Sequence, residues 1–276
     1  MRIKYIRVKS ALSRSGLKEI DYALNPYLGC YHSCIYCYAR DFTRYEEVAK
    51  NWGEVIYVKI NLLDVLRREV KRLPKGVVGV ATITDPYQPI EATYRLTRGS
   101  LEILKRYGFK VSIQTKSPLV LRDKDIIEPK QFDVGVTIIT MDKDVAKVVE
   151  PKAPPPTDRV RILKEISELG VETWLFMGPI IPCLTDNLED IKEVLIVAKE
   201  ANTPVYYDKL NMKPLMSKHF IKTLSKEGFN IKEILSKVRN EKYWKELFSK
   251  VEELCEDVGV KCYLAYPYSF TKLVRN

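Results

Sequence analysis

The sequence has no long hydrophobic run. Across its 276 residues, no stretch approaches the roughly 18 consecutive apolar residues that a membrane-spanning helix requires. The basic N-terminal segment MRIKYIRVKS is not followed by the apolar region of a secretory signal. We therefore expect a cytoplasmic protein without a membrane partner. Thiols stay reduced in the cytoplasm, so clustered cysteines would indicate a metal or catalytic site rather than a disulfide framework.

Histidine and glutamine are also scarce, and we find neither flexible linkers nor internal repeats. The chain has 2 histidines, whereas lysine and glutamate are abundant, a composition typical of heat-adapted proteins. Its formal net charge of +10 favours acidic partners such as nucleic acids or phosphorylated metabolites. The lysines are dispersed, however, as they are on an ordinary solvated surface. An apolar share of 46% is sufficient for one large α/β domain or two small ones.

Short apolar runs alternate with helical patterns between residues 20 and 210. We predict strands at 77–83, 109–115, 132–140, 171–177 and 204–210, and helices at 95–108, 159–170 and 186–201. Asp186 is the predicted N-cap of the last of these helices, and Glu189 completes a capping box. The alternation predicts an α/β fold with parallel strands. About six strand–helix units fit, which is fewer than the eight of a closed barrel.

The remaining residues are predicted to form a mostly helical extension. Residues 1–210 would form the α/β domain, with roughly residues 1–20 as an N-terminal extension of it. Residues 211–276 would pack on that core and contain a strand at VKCYLAY. We expect Cys255 and Cys262, which lie in this part, to be free cysteines in the core, because thiols are commonly buried.

Polar side chains gather at the carboxyl ends of the predicted strands. They are Thr82, Thr84, Asp85, Gln114, Thr115, Lys116, Thr137, Thr140, Asp208 and Lys209. Any one of them could be an ordinary helix cap or turn residue. As a set they favour a ligand site, because parallel α/β folds bind ligands at the carboxyl ends of their strands.

Three cysteines, Cys30, Cys34 and Cys37, occur in one short segment with the spacing C-x3-C-x2-C. Both zinc and iron–sulfur clusters are bound by thiolates. A structural zinc site is closed by four ligands, and His32 is the nearby candidate for the fourth. Three cysteines on a cubane cluster instead leave one iron open to a substrate. Two hypotheses stand at this point: a cluster that carries out chemistry, and a zinc site in a structural or nucleic-acid-binding protein without a reaction.

The segment NPYLGCYHSCIYCYAR, with an aromatic residue before its last cysteine, resembles the cluster loop of radical S-adenosylmethionine enzymes. Together with ITDPYQPIEATYRLTR, SIQTKSPLVLRD and EPKAPPPTDR, it resembles the spore-photoproduct-lyase-like branch of that superfamily, over about residues 20–210. The resemblance implies a partial (β/α)6 TIM-like barrel, which agrees with the strand–helix alternation. It implies a [4Fe–4S] cluster on the three cysteines, S-adenosylmethionine on the open iron, and a one-electron reductant of the ferredoxin or flavodoxin type.

The activity that the resemblance implies is reductive cleavage of S-adenosylmethionine. The 5′-deoxyadenosyl radical formed in this way would abstract a hydrogen atom from a substrate at the barrel mouth, where the protein must exclude water. The sequence does not identify that substrate. The basic charge and the aromatic loop DPYQPIEATYR are compatible with a nucleic acid, because bases stack on tyrosine.

The same resemblance implies a set of cofactor-binding residues. Tyr36 and Tyr38 flank the last cysteine of the triplet, and Thr84 matches a strand-end hydroxyl that contacts S-adenosylmethionine. Lys116 matches a lysine that reaches the carboxylate of that cofactor. The complete set is Tyr36, Tyr38, Thr82, Thr84, Asp85, Lys116, Thr137, Gly178 and Ile180, of which the last two would flank adenine.

The sequence departs from the lyase pattern in three places. Thr82 occupies the position of the cysteine that serves the lyase as hydrogen donor, and a threonine O–H bond is too strong to replace a thiol. This puts thymine-dimer repair in doubt. The Gly-Gly-Glu segment that holds the methionine amino group in many relatives is missing, and Thr82, Thr84 and Asp85 would serve instead. Cys183 follows the fifth strand, so we expect it to line the substrate pocket as a candidate hydrogen donor, with a buried inert thiol as the alternative.

Overall fold

The computed structural model describes residues 1–266, which form an eight-stranded sheet, a three-stranded sheet and the helices around them. The strands are β1 (Arg2–Ile6), β2 (Leu12–Arg14), β3 (Tyr22–Leu24), β4 (Tyr27–Leu28), β5 (Val55–Lys59), β6 (Val77–Val80), β7 (Lys110–Thr115), β8 (Phe132–Thr137), β9 (Glu172–Ile180), β10 (Val205–Lys209) and β11 (Cys262–Leu264). The helices are α1 (Ala39–Phe42), α2 (Glu46–Lys50), α3 (Leu62–Glu69), α4 (Glu91–Tyr94), α5 (Leu96–Arg106), α6 (Lys143–Val149), α7 (Pro156–Ser167), α8 (Leu188–Glu200), α9 (Pro214–Lys226), α10 (Ile231–Arg239) and α11 (Glu241–Val258), and a 3-10 helix spans Pro118–Asp123.

Parallel strands form the centre of the large sheet. Its order is β11-β10-β9-β8-β7-β6-β3-β2, and all neighbouring pairs are parallel except β2 with β3. Strands β3, β6, β7, β8, β9 and β10, with the helices that connect them, form the predicted partial (β/α)6 barrel. The small sheet, in the order β1-β5-β4, supports the loop that follows β4. The prediction of fold class is therefore confirmed.

Most predicted elements form within a few residues of their expected bounds. Helix α5 buries Leu96, Leu101 and Leu104, and it ends before Gly108, whose φ of 68° lies in the left-handed region that glycine tolerates. Strand β9 continues three residues beyond its predicted end and so includes Gly178 and Ile180. Each barrel strand ends at the same edge of the sheet, which is where the candidate site lies.

The predicted N-cap of α8 is wrong by one residue. Asn187, not Asp186, has the extended backbone of a cap, and its side chain accepts a hydrogen bond from the Glu189 amide at 2.8 Å. The Asp186 carboxylate instead accepts a hydrogen bond from the Tyr243 hydroxyl of α11 at 2.6 Å. Asp186 thus contacts α11, while its neighbour Asn187 caps the helix.

The part of the chain after β10 is mostly helical, as predicted. Helix α9 packs on α1, and α11 packs on α8. After α11 the chain reverses at Gly259, which has a φ of 74°, and β11 then pairs in parallel with β10. Residues 267–276 of the predicted extension lie outside the described residues. Among residues 1–266, no helix has the length and apolar character needed to cross a membrane.

Cys255 and Cys262 form a disulfide, so the prediction that both are free is wrong. The reversal at Gly259 brings β11 back beside the end of α11, and the two Cα atoms lie 6.2 Å apart. This separation is one that a disulfide spans without backbone movement. The bond ties the edge strand of the sheet to α11. Cys30, Cys34, Cys37 and Cys183 are free.

Candidate functional site

The three clustered cysteines lie in residues 29–38, between β4 and α1, which we call the cysteine loop. Backbone turns shape the loop: the Ser33 amide donates to the Cys30 carbonyl at 3.3 Å, and the Cys37 amide donates to the Cys34 carbonyl at 3.2 Å. Cys30 and Cys34 are buried, and Cys37 is partly buried. All three thiols are free and enclosed by the protein.

A glycine at the start of the cysteine loop allows it to pack against the small sheet. Gly29 has a φ of 82°, and an added Cβ atom would lie 2.5 Å from the carbonyl oxygen of Val55 on β5. A side chain at this position would therefore both strain the backbone and push the loop away from β5. The loop is held on its other side by Ile35, which is 1% exposed and whose amide donates to the Val149 carbonyl at 2.9 Å.

Burial raises the pKa of all three cysteine thiols, that of Cys34 to about 12. The positive charge of Lys116 acts against this shift at Cys34, and the amides of Ala39 and Arg40 act against it at Cys37. Thiolates in such a place need further positive charge, which metal ions supply. Three free, enclosed thiols with amide donors and a cation beside them fit the donor set of an iron–sulfur cluster.

The arrangement differs from that of a single-metal site. Within residues 1–266, no group of three or more His, Cys, Asp or Glu side chains is placed so that it could hold one metal ion. His32, the fourth ligand in the zinc hypothesis, is 2% exposed and directs its Nδ1 atom to Asp85 Oδ2 at 3.3 Å. The cysteines of a cubane cluster bind different irons, so their sulfur atoms need not converge on one point.

Asp85 joins the cysteine loop to the ends of two barrel strands. Its carboxylate accepts hydrogen bonds from the Thr115 hydroxyl at 2.7 Å and from the amides of Lys116 and Tyr87 at 2.9 Å each, besides its contact with His32. Burial alone would raise the pKa of Asp85, but His32 and these hydrogen bonds lower it to about 2. The carboxylate is therefore ionised and satisfied by protein donors.

Thr84 and Gln88 connect the loop after β6 to the first residues of the cysteine loop. The Thr84 hydroxyl donates to the Gly29 carbonyl at 2.6 Å. The Gln88 amide nitrogen donates to the same carbonyl at 3.2 Å, and its oxygen accepts from the Tyr31 amide at 2.9 Å. These bonds fix where the first cysteine lies relative to the strand ends.

Thr82 lies beside Tyr38 at the other end of the cysteine loop. The Tyr38 hydroxyl donates to the Thr82 carbonyl at 2.6 Å, while the Thr82 hydroxyl accepts from the Asn25 side chain at 3.2 Å. The oxygen of Asn25 also accepts from the Thr82 and Ile83 amides at 2.9 and 3.0 Å. The structure thus brings two predicted cofactor residues into direct contact.

A buried ionic network lies behind the cysteine loop. The Tyr36 hydroxyl donates to the Glu150 carboxylate, and Lys116 Nζ lies 3.7 Å from Glu150 Oε1 and 5.8 Å from the Tyr36 ring centroid. Arg159 Nη1 lies 2.5 Å from Glu150 Oε2 and donates to the Thr137 carbonyl at 3.2 Å. Burial would raise the pKa of Glu150, but Arg159 and Lys116 lower it, so the carboxylate is ionised.

The remaining predicted residues are spread along the strand ends. The Thr137 hydroxyl accepts from Gln114 at 3.2 Å. The Cβ position of Gly178 is filled by the Phe176 ring, whose nearest atom would lie 2.4 Å from an added Cβ, and Ile180 is 1% exposed. Thr140 is a local turn residue, since its hydroxyl accepts from the Asp142 amide at 3.0 Å.

Cys183 lies against α10. Its backbone has a φ of 65°, and its Sγ donates to Glu233 Oε1 at 3.4 Å. Burial raises the pKa of its thiol, although Lys237 acts in the opposite direction. Helix α10 thus supplies the charged neighbours of Cys183, while Cys183 also packs against the apolar cluster that includes Cys34 and Tyr36.

Four residues of the site were not predicted from the sequence: Asn25, Gln88, Glu150 and Arg159. All of them lie in segments that resemble the family, Asn25 in NPYLG, Gln88 in DPYQP, and Glu150 and Arg159 at the two ends of EPKAPPPTDR. Their polar side chains in otherwise apolar or proline-rich surroundings were the available signal.

The comparisons with known proteins identify the family of the chain. Residues 24–198 match the family model of the Radical SAM superfamily. The chain belongs to the radical SAM superfamily. An uncharacterized protein of Methanocaldococcus jannaschii is 31% identical over 258 residues, which are 93% of this chain and 95% of that protein. An uncharacterized protein of Mycobacterium tuberculosis is 31% identical over 198 residues, 68% of this chain and 58% of that protein.

Solved structures with the same fold include spore photoproduct lyase. A mutant of the lyase in which one cysteine is replaced by serine matches with a TM-score of 0.71 and 16% identity over 96% of this chain and 82% of the lyase. A radical SAM methyltransferase from Sphaerobacter thermophilus matches with a TM-score of 0.55 and 15% identity over 88% of this chain and 65% of that protein. At these identities the likeness concerns the fold, and it confirms the predicted lyase-like architecture.

Membership of the superfamily determines the class of chemistry. This radical SAM protein is an enzyme, and its cofactors are a [4Fe–4S] cluster and S-adenosylmethionine. Enzymes of the superfamily require an electron donor and a substrate.

Proposed function

We propose that Cys30, Cys34 and Cys37 hold the [4Fe–4S] cluster and leave one iron open for S-adenosylmethionine. When bound, the cluster supplies the electron that cleaves the cofactor to methionine and a 5′-deoxyadenosyl radical, which abstracts hydrogen from the substrate. The observation that carries the proposal is the cysteine loop itself. Its three free thiols lie at the carboxyl ends of the barrel strands, among amide donors and cations that favour thiolates.

Lys116 is proposed to bind the carboxylate of S-adenosylmethionine. It directly follows β7, its side chain is 16% exposed, and its charge already acts on Cys34. Its distance of 3.7 Å from Glu150 is longer than a tight ion pair, so the ammonium group retains hydrogen-bonding capacity for a second carboxylate. Glu150 and Tyr36 would hold the side chain in place.

The other predicted cofactor residues are proposed to shape the pocket rather than to react. Thr82, Thr84 and Asp85 would order the loop after β6 around the cysteine loop, as their hydrogen bonds to it suggest. Tyr38 and Thr137 would contribute polar groups. Gly178 and Ile180 are proposed to flank adenine at the end of β9, the role that the resemblance to the family implies.

We propose a nucleic acid as the substrate class. The net charge of +10 favours a polyanion, and three aromatic side chains at and just after the end of the cysteine loop are exposed: Tyr38 by 44%, Phe42 by 58% and Tyr45 by 41%. Binding of single-stranded and duplex oligonucleotides, measured at several salt concentrations, tests this. If the affinity changes neither with salt concentration nor in Tyr45→Ala, charge and stacking contribute nothing to binding. That result would contradict a nucleic acid as the substrate class.

Cys183 is proposed as a hydrogen donor to the substrate, and the electron donor as a protein of the ferredoxin or flavodoxin type. We further propose that residues 1–210 form the catalytic barrel and that the helical part after residue 210 covers it. Once a substrate is found, unchanged turnover in Cys183→Ala would contradict the first of these proposals. If reduced ferredoxin and flavodoxin both fail to support 5′-deoxyadenosine release while dithionite supports it, the second proposal is contradicted.

The first experiment is anaerobic reconstitution with iron and sulfide, followed by EPR spectroscopy of the reduced protein with and without S-adenosylmethionine. We expect a cluster signal that the cofactor perturbs, together with release of 5′-deoxyadenosine. Cys34→Ala should abolish both, whereas Cys183→Ala, a matched change at a cysteine outside the loop, should retain the cluster signal. A colourless protein that keeps zinc and forms no cluster would instead support the structural zinc hypothesis.

A further inference from the structure

The inner face of the barrel sheet carries aromatic and polar side chains, whereas branched apolar residues fill the interior of a closed barrel. Side chains alternate between the two faces of a strand, and those directed to the helices, such as Val134 and Leu175, are fully buried. Four aromatic side chains occupy the alternate positions of β9, β10 and β11, and we call them the inner aromatic face: Trp174, Phe176, Tyr206 and Tyr263. The first three are partly exposed, and Tyr263 is 47% exposed.

The strand register places three of these rings in one row that starts at Thr137, a residue of the proposed cofactor site. Thr137 is paired with Phe176, Phe176 with Tyr206, and Tyr206 with Tyr263 on the edge strand β11. The rings of Tyr206 and Tyr263 lie 5.3 Å apart, with 31° between their planes. Because neighbouring strands are about 4.8 Å apart, the row spans about 14 Å. It connects the proposed cofactor site with the open edge of the sheet.

Asp133 adds a carboxylate with one open oxygen to the same face. Its Oδ1 atom accepts hydrogen bonds from the Ser112 hydroxyl at 2.6 Å and from Trp174 Nε1 at 2.8 Å. Among residues 1–266, neither a hydrogen-bond donor nor a cation pairs with Oδ2, and Asp133 is partly exposed. Burial raises the pKa of Asp133, whereas the two hydrogen bonds favour its ionised form. The open oxygen can therefore accept a hydrogen bond from a ligand.

Gly135 allows the indole of Trp174 to join this carboxylate to the row of rings. An added Cβ atom at Gly135 would clash with the Trp174 ring, so the indole lies directly on the glycine. The same indole meets the Tyr206 ring edge-on, with the ring centroids 5.8 Å apart. One indole therefore separates Asp133 from Tyr206, and a single flat heterocycle can contact both the carboxylate and a stacking surface.

We propose that the inner aromatic face and Asp133 bind one base of the substrate, and that Asp133 selects cytosine or adenine over thymine. The inference rests on the proposed function, in which the substrate is a nucleic acid. Aromatic side chains stack on any base, so they supply affinity without choosing among bases. A carboxylate accepts a hydrogen bond from the exocyclic amino group of cytosine or adenine. Thymine has a carbonyl oxygen at the equivalent position, which the carboxylate repels.

The test is the binding of short single strands of dC, dA or dT to the reconstituted holoenzyme, measured by fluorescence anisotropy at several salt concentrations. Wild type should bind the dC and dA strands about tenfold more tightly than the dT strand. In Asp133→Asn the Ser112 and Trp174 donors retain the amide oxygen, so an NH2 group replaces the open oxygen and the preference should disappear. The matched control is Asp64→Asn, the same change at an exposed position of α3, which should keep the preference.

A second variant tests stacking and leaves the bonds of Asp133 untouched. Tyr263→Ala should weaken the binding of all three strands at least about fivefold, with the preference among bases unchanged. Tyr5→Ala removes a tyrosine that is 59% exposed on β1 of the small sheet, and it should bind like wild type.

The possible results separate this inference from the proposed function. If no strand binds to wild type at any salt concentration, the nucleic-acid substrate and this inference are both overturned. If strands bind, the inference alone is overturned when wild type shows no preference, when the preference persists in Asp133→Asn, or when Tyr263→Ala binds like wild type. If Asp133→Asn does not fold, the preference of wild type and the affinity of Tyr263→Ala decide by the same criteria.

Discussion

The hydroxyl of Tyr36 donates a hydrogen bond to the buried carboxylate of Glu150, 114 positions further along the chain. The aromatic residue that precedes the last cysteine of the triplet is thereby joined to the segment between α6 and α7. Because Lys116 and Arg159 share the same carboxylate, one acidic side chain connects the cysteine loop with the ends of two other barrel elements.

We expect Glu150→Gln to lower the free energy of unfolding of the cluster-free protein by about 3–5 kcal/mol. The change leaves the buried Arg159 and the partly buried Lys116 without their counter-charge, which is far more costly than removing a complete pair. Urea unfolding measures the difference. Glu54→Gln, which removes the partner of Lys152 at an exposed site, is the control and should cost less than about 1 kcal/mol. If Glu150→Gln and Glu54→Gln lose the same free energy of unfolding, the buried network has no special role in stability.

Gly29→Ala should disturb the cysteine loop as well as the backbone. The new Cβ atom would lie 2.5 Å from the Val55 carbonyl oxygen, and β5 cannot move without disrupting the small sheet. Gly228→Ala is the matched control, since Gly228 has a similar φ of 81° but nothing within 4 Å of an added Cβ. In the control we expect backbone strain to lower the free energy of unfolding by about 1–2 kcal/mol. In Gly29→Ala we expect a larger decrease, together with a lower iron content after reconstitution. If Gly29→Ala and Gly228→Ala have the same stability and iron content, the close packing at Gly29 is unimportant.

His219 should make the stability depend on pH between about 6.5 and 4. Burial, together with the charges of Arg40 and Lys222, lowers the pKa of His219 from 6.5 to about 4. The unfolded chain therefore binds a proton that the folded protein rejects, and stability is lost as the pH falls through this range. From pH 7.5 to pH 5, wild type should lose about 1 kcal/mol relative to His219→Gln, because His219 keeps partial contact with water and solvent screening reduces the effect of the shift. The exposed Lys218→Gln is the control, and its stability difference from wild type should stay constant with pH. The same constancy in His219→Gln would contradict the lowered pKa of His219.

Lys116→Met should weaken binding of S-adenosylmethionine by at least about tenfold, because it removes a charge-assisted contact with the cofactor carboxylate. Isothermal titration calorimetry on the reconstituted protein measures this. Iron content should remain at the wild-type level, which separates loss of the cofactor contact from loss of the cluster. Lys124→Met, whose lysine pairs with Glu165 on α7, is the control and should bind normally. If Lys116→Met binds S-adenosylmethionine with the wild-type affinity, Lys116 is not part of the cofactor site.

The strands, the helices and the cysteine loop were predictable because their signals are local. Buried parallel strands such as β7 and β8 are continuous apolar runs between helical patterns, and C-x3-C-x2-C places three thiols within eight residues of one another. The resemblance of four short segments to the radical SAM superfamily gave the class of the enzyme, which the family match then confirmed.

Partners distant in the sequence were not predictable in this way. Nothing near Glu150 in the chain indicates that its carboxylate meets Tyr36, Lys116 and Arg159, since each of them comes from a different element. The disulfide between Cys255 and Cys262 was also missed, because it depends on how α11 ends and on where β11 joins the sheet. The contact between Asp186 and Tyr243 of α11, beside the Asn187 cap, was likewise not visible in the sequence.

The sequence alone determined that this chain is a partial barrel with a triplet of thiols at one strand-end edge, because backbone propensity, hydrophobic period and cysteine spacing act over a few residues. The tertiary structure alone decided which charges surround those thiols. It pairs Lys116 and Arg159 with one carboxylate and places His32 against Asp85, since burial and electrostatic pairing are properties of residues that only folding brings together.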